Sequence, residues 1–277
     1  MKRLLLFSII LFLGLQSCTD QRSTTDTGTV VLPQPKAIPN LAYEVKATLP
    51  HDKSLFTEGL FFHDGQLFES TGSPEDIAES KSMVGIMNTE TGVFSAKAEL
   101  DKSVYFGEGS VIFNDKLYQL TYKNQKGFIY DAKTFKKTGE FRYANLEGWG
   151  LTTDSTNLIM SDGTNKLTFI NPATMQPVKS LSVLENDTPV DRLNELEYIK
   201  GYIYANVWLT NTIVKIDPAT GKLVGKLDIG PVFFTEKSKN IAGMELNGIA
   251  YLPKTDRIYI TGKLWSTIYE IELKSAQ

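Results

Sequence analysis

The chain has 277 residues, enough for one large domain or two small ones, and its 42% hydrophobic and 22% charged content is that of an ordinary soluble globular protein. A formal net charge of -3 with no basic cluster excludes the electrostatic footprint of a nucleic-acid binder. One cysteine and two histidines exclude an internal disulfide, a cysteine-based metal site and a three-histidine metal centre.

The first element in chain order lies outside any fold. Met1-Lys2-Arg3 is a short basic segment, and residues 4–15 form an apolar run of signal-peptide length. That run is too short to span a bilayer, which takes roughly 20 residues. It leads into Leu15-Gln16-Ser17-Cys18, which resembles a bacterial lipobox with Gln16 as a loose fit. The expectation is a lipoprotein-type signal over residues 1–18, with Cys18 carrying the lipid and anchoring the chain to a membrane. Residues 19–40 are rich in Thr, Asp, Gln, Ser and Pro and read as a flexible tether. The folded domain then runs over 41–277, in a bacterial cell envelope, periplasmic or surface-facing.

From residue 41 the pattern changes. Short alternating or apolar runs of four to eight residues are separated by Gly, Asn, Asp, Pro and Lys, and this reads as all-β. Five segments align without gaps, beginning Glu58-Gly59, Glu108-Gly109, Trp149-Gly150, Asn194-Glu195 and Asn247-Gly248. Their spacings are 50, 41, 45 and 53 residues. A second strand follows each, ending at Gly72, Tyr122, Gly163, Trp208 and Lys263 with spacings of 50, 41, 45 and 55. Third and fourth strands recur as well. Four strands at this period are the signature of a propeller blade, so the expected fold is a five-bladed β-propeller. The last repeat stops after its third strand, while a strand-like run at 43–49 precedes the first. The N-terminal strand is therefore expected to complete the fifth blade, which hides the sheet edges.

The start of each innermost strand and the end of each second strand face the same mouth of such a propeller. The inner positions Glu58, Glu108, Trp149, Asn194 and Asn247 thus form one ring, and Gly72, Tyr122, Gly163, Trp208 and Lys263 a second. Hairpin geometry is expected to make cross-strand neighbours of Glu108 with Tyr122, Asn194 with Trp208, and Asn247 with Lys263. Two carboxylates, two amides, a lysine and three aromatics then converge, an apolar pocket with a few placed polar groups. No nucleophile elbow and no phosphate-cradling glycine loop occurs. What remains is carboxylate acid–base chemistry between aromatic walls, where burial and a neighbouring acid raise a glutamate's pKa towards neutrality.

The motifs Phe56-Thr57-Glu58-Gly59-Leu60, Phe106-Gly107-Glu108-Gly109, Glu147-Gly148-Trp149-Gly150-Leu151, Leu193-Asn194-Glu195-Leu196-Glu197-Tyr198, Ala205-Asn206-Val207-Trp208, Leu246-Asn247-Gly248-Ile249-Ala250 and Thr261-Gly262-Lys263-Leu264-Trp265 resemble, in this order, the plant and bacterial type of glutaminyl-peptide cyclotransferase. The resemblance covers residues 41–273. It implies a five-bladed propeller that converts an N-terminal glutamine of a peptide to pyroglutamate with release of ammonia. It implies Glu108 as the catalytic acid–base, in a pocket with Phe56, Phe106, Trp149, Asn194, Trp208 and Lys263. Glu58, Tyr122 and Asn247 join that pocket through the ring alignment. No cofactor is required for this chemistry, and the tunnel leaves room for a structural metal ion. The implied partners are peptides or proteins with N-terminal Gln and, through Cys18, a membrane; a closed propeller on a tether works as a monomer. Two positions depart from the family pattern: Glu58 stands where Gln is usual, and Tyr122 where Trp is common. Glu58 adds a second carboxylate beside Glu108, so the two titrate together. A non-catalytic peptide- or ligand-binding propeller of the envelope is the first alternative reading, and a glycosidase using Glu58 and Glu108 the second.

Overall fold

The computed structural model describes residues 37–274. The expected signal segment 1–18, Cys18 and most of the tether lie outside the described residues.

The strands form five four-stranded antiparallel sheets and one two-stranded hairpin. In chain order the first blade is Thr57–His63, Gln66–Thr71, Met83–Met87 and Phe94–Glu99. The second is Gly107–Phe113, Lys116–Thr121, Lys126–Asp131 and Lys137–Arg142. The third is Leu151–Thr153, Leu158–Ser161, Lys166–Asn171 and Gln176–Ser182, and the fourth Leu193–Ile199, Tyr202–Val207, Thr212–Ile216 and Leu223–Asp228. The fifth has Leu246–Leu252, Arg257–Gly262 and Thr267–Leu273 from the C-terminal end of the chain. Its outermost strand is Tyr43–Pro50, running antiparallel to Thr267–Leu273 with Tyr43 opposite Leu273 and Pro50 opposite Thr267. The expected closure by the N-terminal strand is therefore present.

Burial follows strand position. Inner strands are buried along most of their length, as in Gly107–Phe113, so they lose the two-residue alternation of a one-sided strand. Outer strands such as Gln176–Ser182 are almost wholly exposed. The core is divided into five apolar clusters, each between two adjacent blades. Phe61, Phe68, Ile112 and Leu117 join blades one and two. Leu120, Leu151 and Met160 join two and three, and Ile159, Phe169, Leu196 and Ile203 join three and four. Ile213, Leu227, Ile249 and Ile260 join four and five. Leu60, Leu67, Ala250 and Ile268 join five back to one. That last cluster closes the ring. A buried ion pair sits on the same seam: His51 Nε2 lies 3.0 Å from Glu69 Oε2, and its Nδ1 lies 2.7 Å from the Trp265 carbonyl. Both ring nitrogens face oxygen atoms, an arrangement that favours the protonated imidazole. Burial alone would lower its pKa, but the Glu69 carboxylate outweighs that and raises it.

Among the described residues the one departure from all-β structure is a helix at Gly230–Lys239, at the mouth of the propeller. It lies between the outer strand of blade four and the inner strand of blade five. Its apolar residues follow no clear 3.6-residue stripe, which is why the sequence pattern hides it. Pro231 starts it, where a missing N–H costs nothing. Buried Glu236 ties it to blade five by accepting from the Ser266 N–H at 2.6 Å and from the Tyr269 hydroxyl at 3.2 Å.

The glycines of the repeated motif mark where inner strands touch. A Cβ on Gly109 would stand 2.6 Å from the Trp149 carbonyl oxygen and the Leu151 nitrogen; one on Gly150 would strike the Asn194 carbonyl and approach Glu195 Cα to 2.8 Å. The Gly109 N–H donates to the Trp149 carbonyl at 2.8 Å, a backbone bond from blade two to blade three. The clash falls on backbone rather than on a movable side chain. Gly150→Ala is therefore expected to lower stability by about 1–3 kcal/mol, the usual cost of overpacking, read as a lower urea midpoint. An unchanged midpoint would show that the blades can separate freely at this contact.

Candidate active site

The register of each inner hairpin explains how the ring side chains reach the mouth. In blade one Thr57 faces Thr71 and Gly59 faces Ser70, so Glu58 is an extra residue with no partner. The same two-against-one bulge recurs between Gly107 and Ser110, between Leu193 and Leu196, and between Leu246 and Ile249. A bulge turns a side chain out of the regular alternation. Four blades thus deliver Glu58, Glu108, Asn194 and Asn247 by one device. In blade three the regular strand begins only at Leu151, and Trp149 is held by its N–H to the Ser161 carbonyl at 3.0 Å.

The bulges also correct the expected cross-strand pairs. Tyr122 faces Phe106 rather than Glu108, through an N–H···O bond of 3.0 Å. Trp208 faces Arg192 rather than Asn194, and Lys263 faces Glu245 rather than Asn247, by bonds of 2.8 and 3.0 Å. Each pairing lies two positions from the expected one along the inner strand, one from the inserted residue and one from the hairpin register itself, in which Ser110 faces Gln119.

A cavity of about 490 Å³ opens at this mouth, within the range of small-ligand sites, about 300–1,000 Å³. Of the expected site residues it is lined by Phe56, Glu58, Phe106, Glu108, Tyr122, Trp149, Asn194, Trp208 and Lys263. Asn247 does not line it. Asn247 is fully buried behind it and donates to the Thr57 carbonyl at 2.9 Å and to Glu58 Oε2 at 3.0 Å, so it supports Glu58. The cavity adds residues that the aligned rings leave out: Glu147, Glu245, Met244, and Pro74, Asp76 and Ile77 from the loop after the second strand of blade one. Glu147 and Glu245 stand two positions before the ring residues of their blades, as Phe56 and Phe106 do. The repeat spacing therefore contained the signal for them.

The walls form a continuous aromatic arc. Ring centroids are 6.1 Å apart for Phe56 and Phe106, 5.8 Å for Phe106 and Tyr122, 6.5 Å for Tyr122 and Trp149, and 5.5 Å for Trp149 and Trp208. Polar contacts complete the circle. The Trp208 indole donates to Glu245 Oε1 at 3.0 Å, Lys263 Nζ lies 3.4 Å from the same oxygen, and Lys263 sits 4.5 Å from the Phe56 ring centre. Lys263 Nζ also meets Glu58 Oε1 at 2.9 Å, in a pair whose side chains are 7% and 3% exposed. On the other side the Trp149 indole donates to Glu147 Oε2 at 3.0 Å. Asn194 Oδ1 is buried with no hydrogen-bond partner among the described residues.

Comparison with known proteins agrees with this geometry. A sequence profile of the family described as glutamine cyclotransferase matches residues 9–273. A glutaminyl-peptide cyclotransferase of Arabidopsis thaliana is 37% identical over 235 residues, covering 84% of this chain and 72% of that protein. The crystal structure of Myxococcus xanthus glutaminyl cyclase superposes with a TM-score of 0.78 at 32% identity, covering 87% of this chain and all of that one.

The electrostatics of the site follow from burial. Loss of water pushes Glu58 up to about 7, even though Lys263 pulls it down. Glu108 is raised well above the usual carboxylate range, first by burial, then by the charge of Glu58. Burial opposes the Lys263 ammonium, but Glu58, Glu245 and Glu108 more than offset it and raise its pKa. Deeper on the axis, burial raises Glu195 well above its ordinary value and pushes Glu197 up to about 8. Their oxygens accept the Leu60, Ile249 and Tyr251 N–H groups and the Thr152 hydroxyl. They thereby bind blade four to blades one, three and five. Among the described residues no group of three or more His, Cys, Asp or Glu side chains is arranged to hold a metal ion.

These carboxyls set the pH dependence of stability. An unfolded glutamate releases its proton near pH 4.3, whereas the folded chain keeps these protons to higher pH. Folding therefore takes up protons between the two values, and stability falls as pH rises from about 4.3 through about 8. The urea midpoint is expected to drop between roughly pH 5 and 8.5, with Glu197→Gln flattening the decline, since each unit of displacement carries about 1.4 kcal/mol. A midpoint that rises across that interval would contradict the assignment.

Proposed function

The chain belongs to the glutamine cyclotransferase family, and on that premise we propose that it is a glutaminyl-peptide cyclotransferase whose proton shuttle is Glu108. The observation that carries the residue assignment is that, of the two buried carboxyls facing the aromatic-walled cavity, Glu58 is held by Lys263 and Asn247 whereas Glu108 has no side-chain partner among the described residues.

The reaction asks for three things. The α-amine of the substrate must be neutral to attack, its proton must go somewhere, and the departing nitrogen must be protonated. A free peptide amine has a pKa of about 7.7–8.0, and burial and the charge of Glu58 raise the Glu108 carboxyl from its usual range in the direction of the amine. The raised carboxyl is a stronger base than an ordinary glutamate, which favours general acid–base work on the amine. The amine nitrogen bonds to the side-chain amide carbon and closes a five-membered ring. Glu108 accepts the amine proton and returns it to the amide nitrogen. The C–N bond to that nitrogen then breaks, leaving pyroglutamyl peptide and ammonia.

The remaining residues hold and shield this event. The Lys263 ammonium is suited to stabilising the oxyanion that develops on the amide oxygen. Its contact with Glu58 supports a reading of that unusual carboxylate as a tuned element rather than a defect, because the added negative charge has a partner. Asn194 Oδ1 is placed to accept from the substrate amide NH₂ or the α-ammonium. The aromatic arc limits water, and water attack on the same carbon would give glutamate instead of the ring.

A peptide beginning with Gln is expected to lose about 17 Da as ammonia leaves, where plain hydrolysis would add about 1 Da. Cyclisation no faster than the spontaneous reaction would sink the enzymatic reading. Glu108→Gln should reduce kcat by about 10²–10⁴-fold. In the intact enzyme kcat/KM should climb with pH up to about 8, because the α-amine, with a pKa of about 7.7–8.0, must lose its proton before attack. Full activity in Glu108→Gln would move the chemistry to another group.

For the N-terminal segment we propose attachment to a bacterial envelope membrane through Cys18, with residues 19–36 as the tether; the expected bound at 40 is too late, because Ile38 packs on the cluster of blades three and four and Pro39 and Asn40 pair with Lys226. The basic start, the apolar run and the single cysteine support this. Full-length chain expressed with labelled palmitate is expected to incorporate the label, and Cys18→Ser to abolish it. Equal labelling of both forms would remove the anchor from the account.

A further inference from the structure

Each blade has a connection between its second and third strands at the mouth that holds the cavity. In four blades it is four residues long: 122–125, 162–165, 208–211 and 263–266. In blade one it is eleven, residues 72–82. The short connections give the cavity only their first residues, Tyr122, Trp208 and Lys263, whereas this loop gives it Pro74, Asp76 and Ile77. The loop is built rather than slack. Ser73 and Ser82 join its two ends through their hydroxyls at 2.7 Å, and the Thr71 hydroxyl donates to the Lys81 carbonyl at 2.6 Å. A turn bonds the Ile77 N–H to the Pro74 carbonyl at 3.1 Å, the Ser80 hydroxyl caps the Ile77 carbonyl at 2.6 Å, and Lys102 of the next blade holds the Ala78 carbonyl at 2.7 Å. Asp76 stands inside that first turn, with its side chain in solvent at the cavity edge.

Five carboxylates line the cavity: Glu58, Asp76, Glu108, Glu147 and Glu245. Three already face a lysine. Glu58 and Glu245 share Lys263, and Glu147 lies 3.8 Å from Lys123. Glu108 is buried at the reacting centre. Asp76 alone is exposed and has no cationic partner among the described residues. A peptide seated with its amine at Glu108 leaves through the mouth, whose rim includes Pro74, Asp76 and Ile77 of the 72–82 loop.

We propose that the 72–82 loop forms the subsite for the residue that follows the N-terminal glutamine, and that Asp76 makes this subsite select cationic side chains and disfavour acidic ones. This rests on the cyclotransferase reading above. Pro74 and Ile77 supply the apolar wall along which the stem of a lysine or arginine lies, while its charge reaches Asp76. The pair is solvent-exposed, so its effect is modest and sensitive to salt.

The test compares kcat/KM for three peptides of equal length beginning Gln-Lys, Gln-Ala and Gln-Glu. At low ionic strength the order should be Lys over Ala over Glu, with roughly tenfold between the extremes, since an exposed pair gives about two- to fivefold in each direction. Asp76→Asn should cut the Lys-to-Glu ratio by at least about threefold, and Asp76→Lys should bring it to unity or below. In about 1 M salt, where the screening length falls to about 3 Å, the ratio in the unaltered protein should collapse. Equal rates for the three peptides, a ratio that Asp76→Asn leaves alone, or a preference that survives high salt would each overturn the subsite. If the Gln-Ala peptide is not cyclised at all, the cyclotransferase reading itself fails and the subsite falls with it.

Discussion

Everything at the mouth depends on ring closure. The seam between blades five and one is made by chain ends more than two hundred residues apart, with Tyr43–Pro50 paired to Thr267–Leu273. Leu60, Leu67, Ala250 and Ile268 pack across the seam, and the His51–Glu69 pair is buried within it. Without that seam the first and last inner strands would not face one another. Lys263 of blade five would then have no reason to meet Glu58 of blade one. The charge balance of the site is thus a product of closure rather than of any local sequence.

The second constraint is the bulge at the head of the inner strands. A regular strand alternates its side chains and would send every second residue between the blades. One extra residue breaks that alternation and frees a side chain to point along the axis. Glycine beside the bulge lets the next blade approach to backbone contact, as at Gly109 and Gly150. The same short motif therefore serves packing and chemistry. It brings blades close enough to exclude water, and in that dry space a carboxyl holds its proton to an unusually high pH. Lys263 keeps the arrangement tolerable, because several buried carboxylates without a cation would carry a large desolvation cost.

Much of this is legible in the chain. The matched spacings of two strand positions identify one hairpin repeated five times, and the missing fourth strand of the last repeat points to the N-terminal run. The repeat also brings Glu58, Glu108, Trp149 and Asn194 to one mouth. Other features were less accessible. Asn247 shares the ring spacing of Asn194, yet it lies behind the cavity and holds Glu58, because its amide turns towards the neighbouring blade. Tyr122, Trp208 and Lys263 pair with residues other than the expected ones, because neither the hairpin register nor the bulge leaves a mark in a gapless alignment. The helix at Gly230–Lys239 and the long loop at 72–82 have no counterpart in other blades, so a repeat cannot reveal them.

The sequence by itself determined the strand pattern, the number of blades and the kind of residues that meet at the mouth, carboxylates between aromatic walls. These depend on local period and residue type, which a single chain displays directly. Only the tertiary structure decided which groups share charge: Lys263 with Glu58 and Glu245, the Trp208 indole with Glu245, and Asp76 with solvent at the rim. Contacts of that kind join residues from different blades, and their distances are set by the register of each bulge and by the closing of the ring. Neither can be read from spacing along the chain.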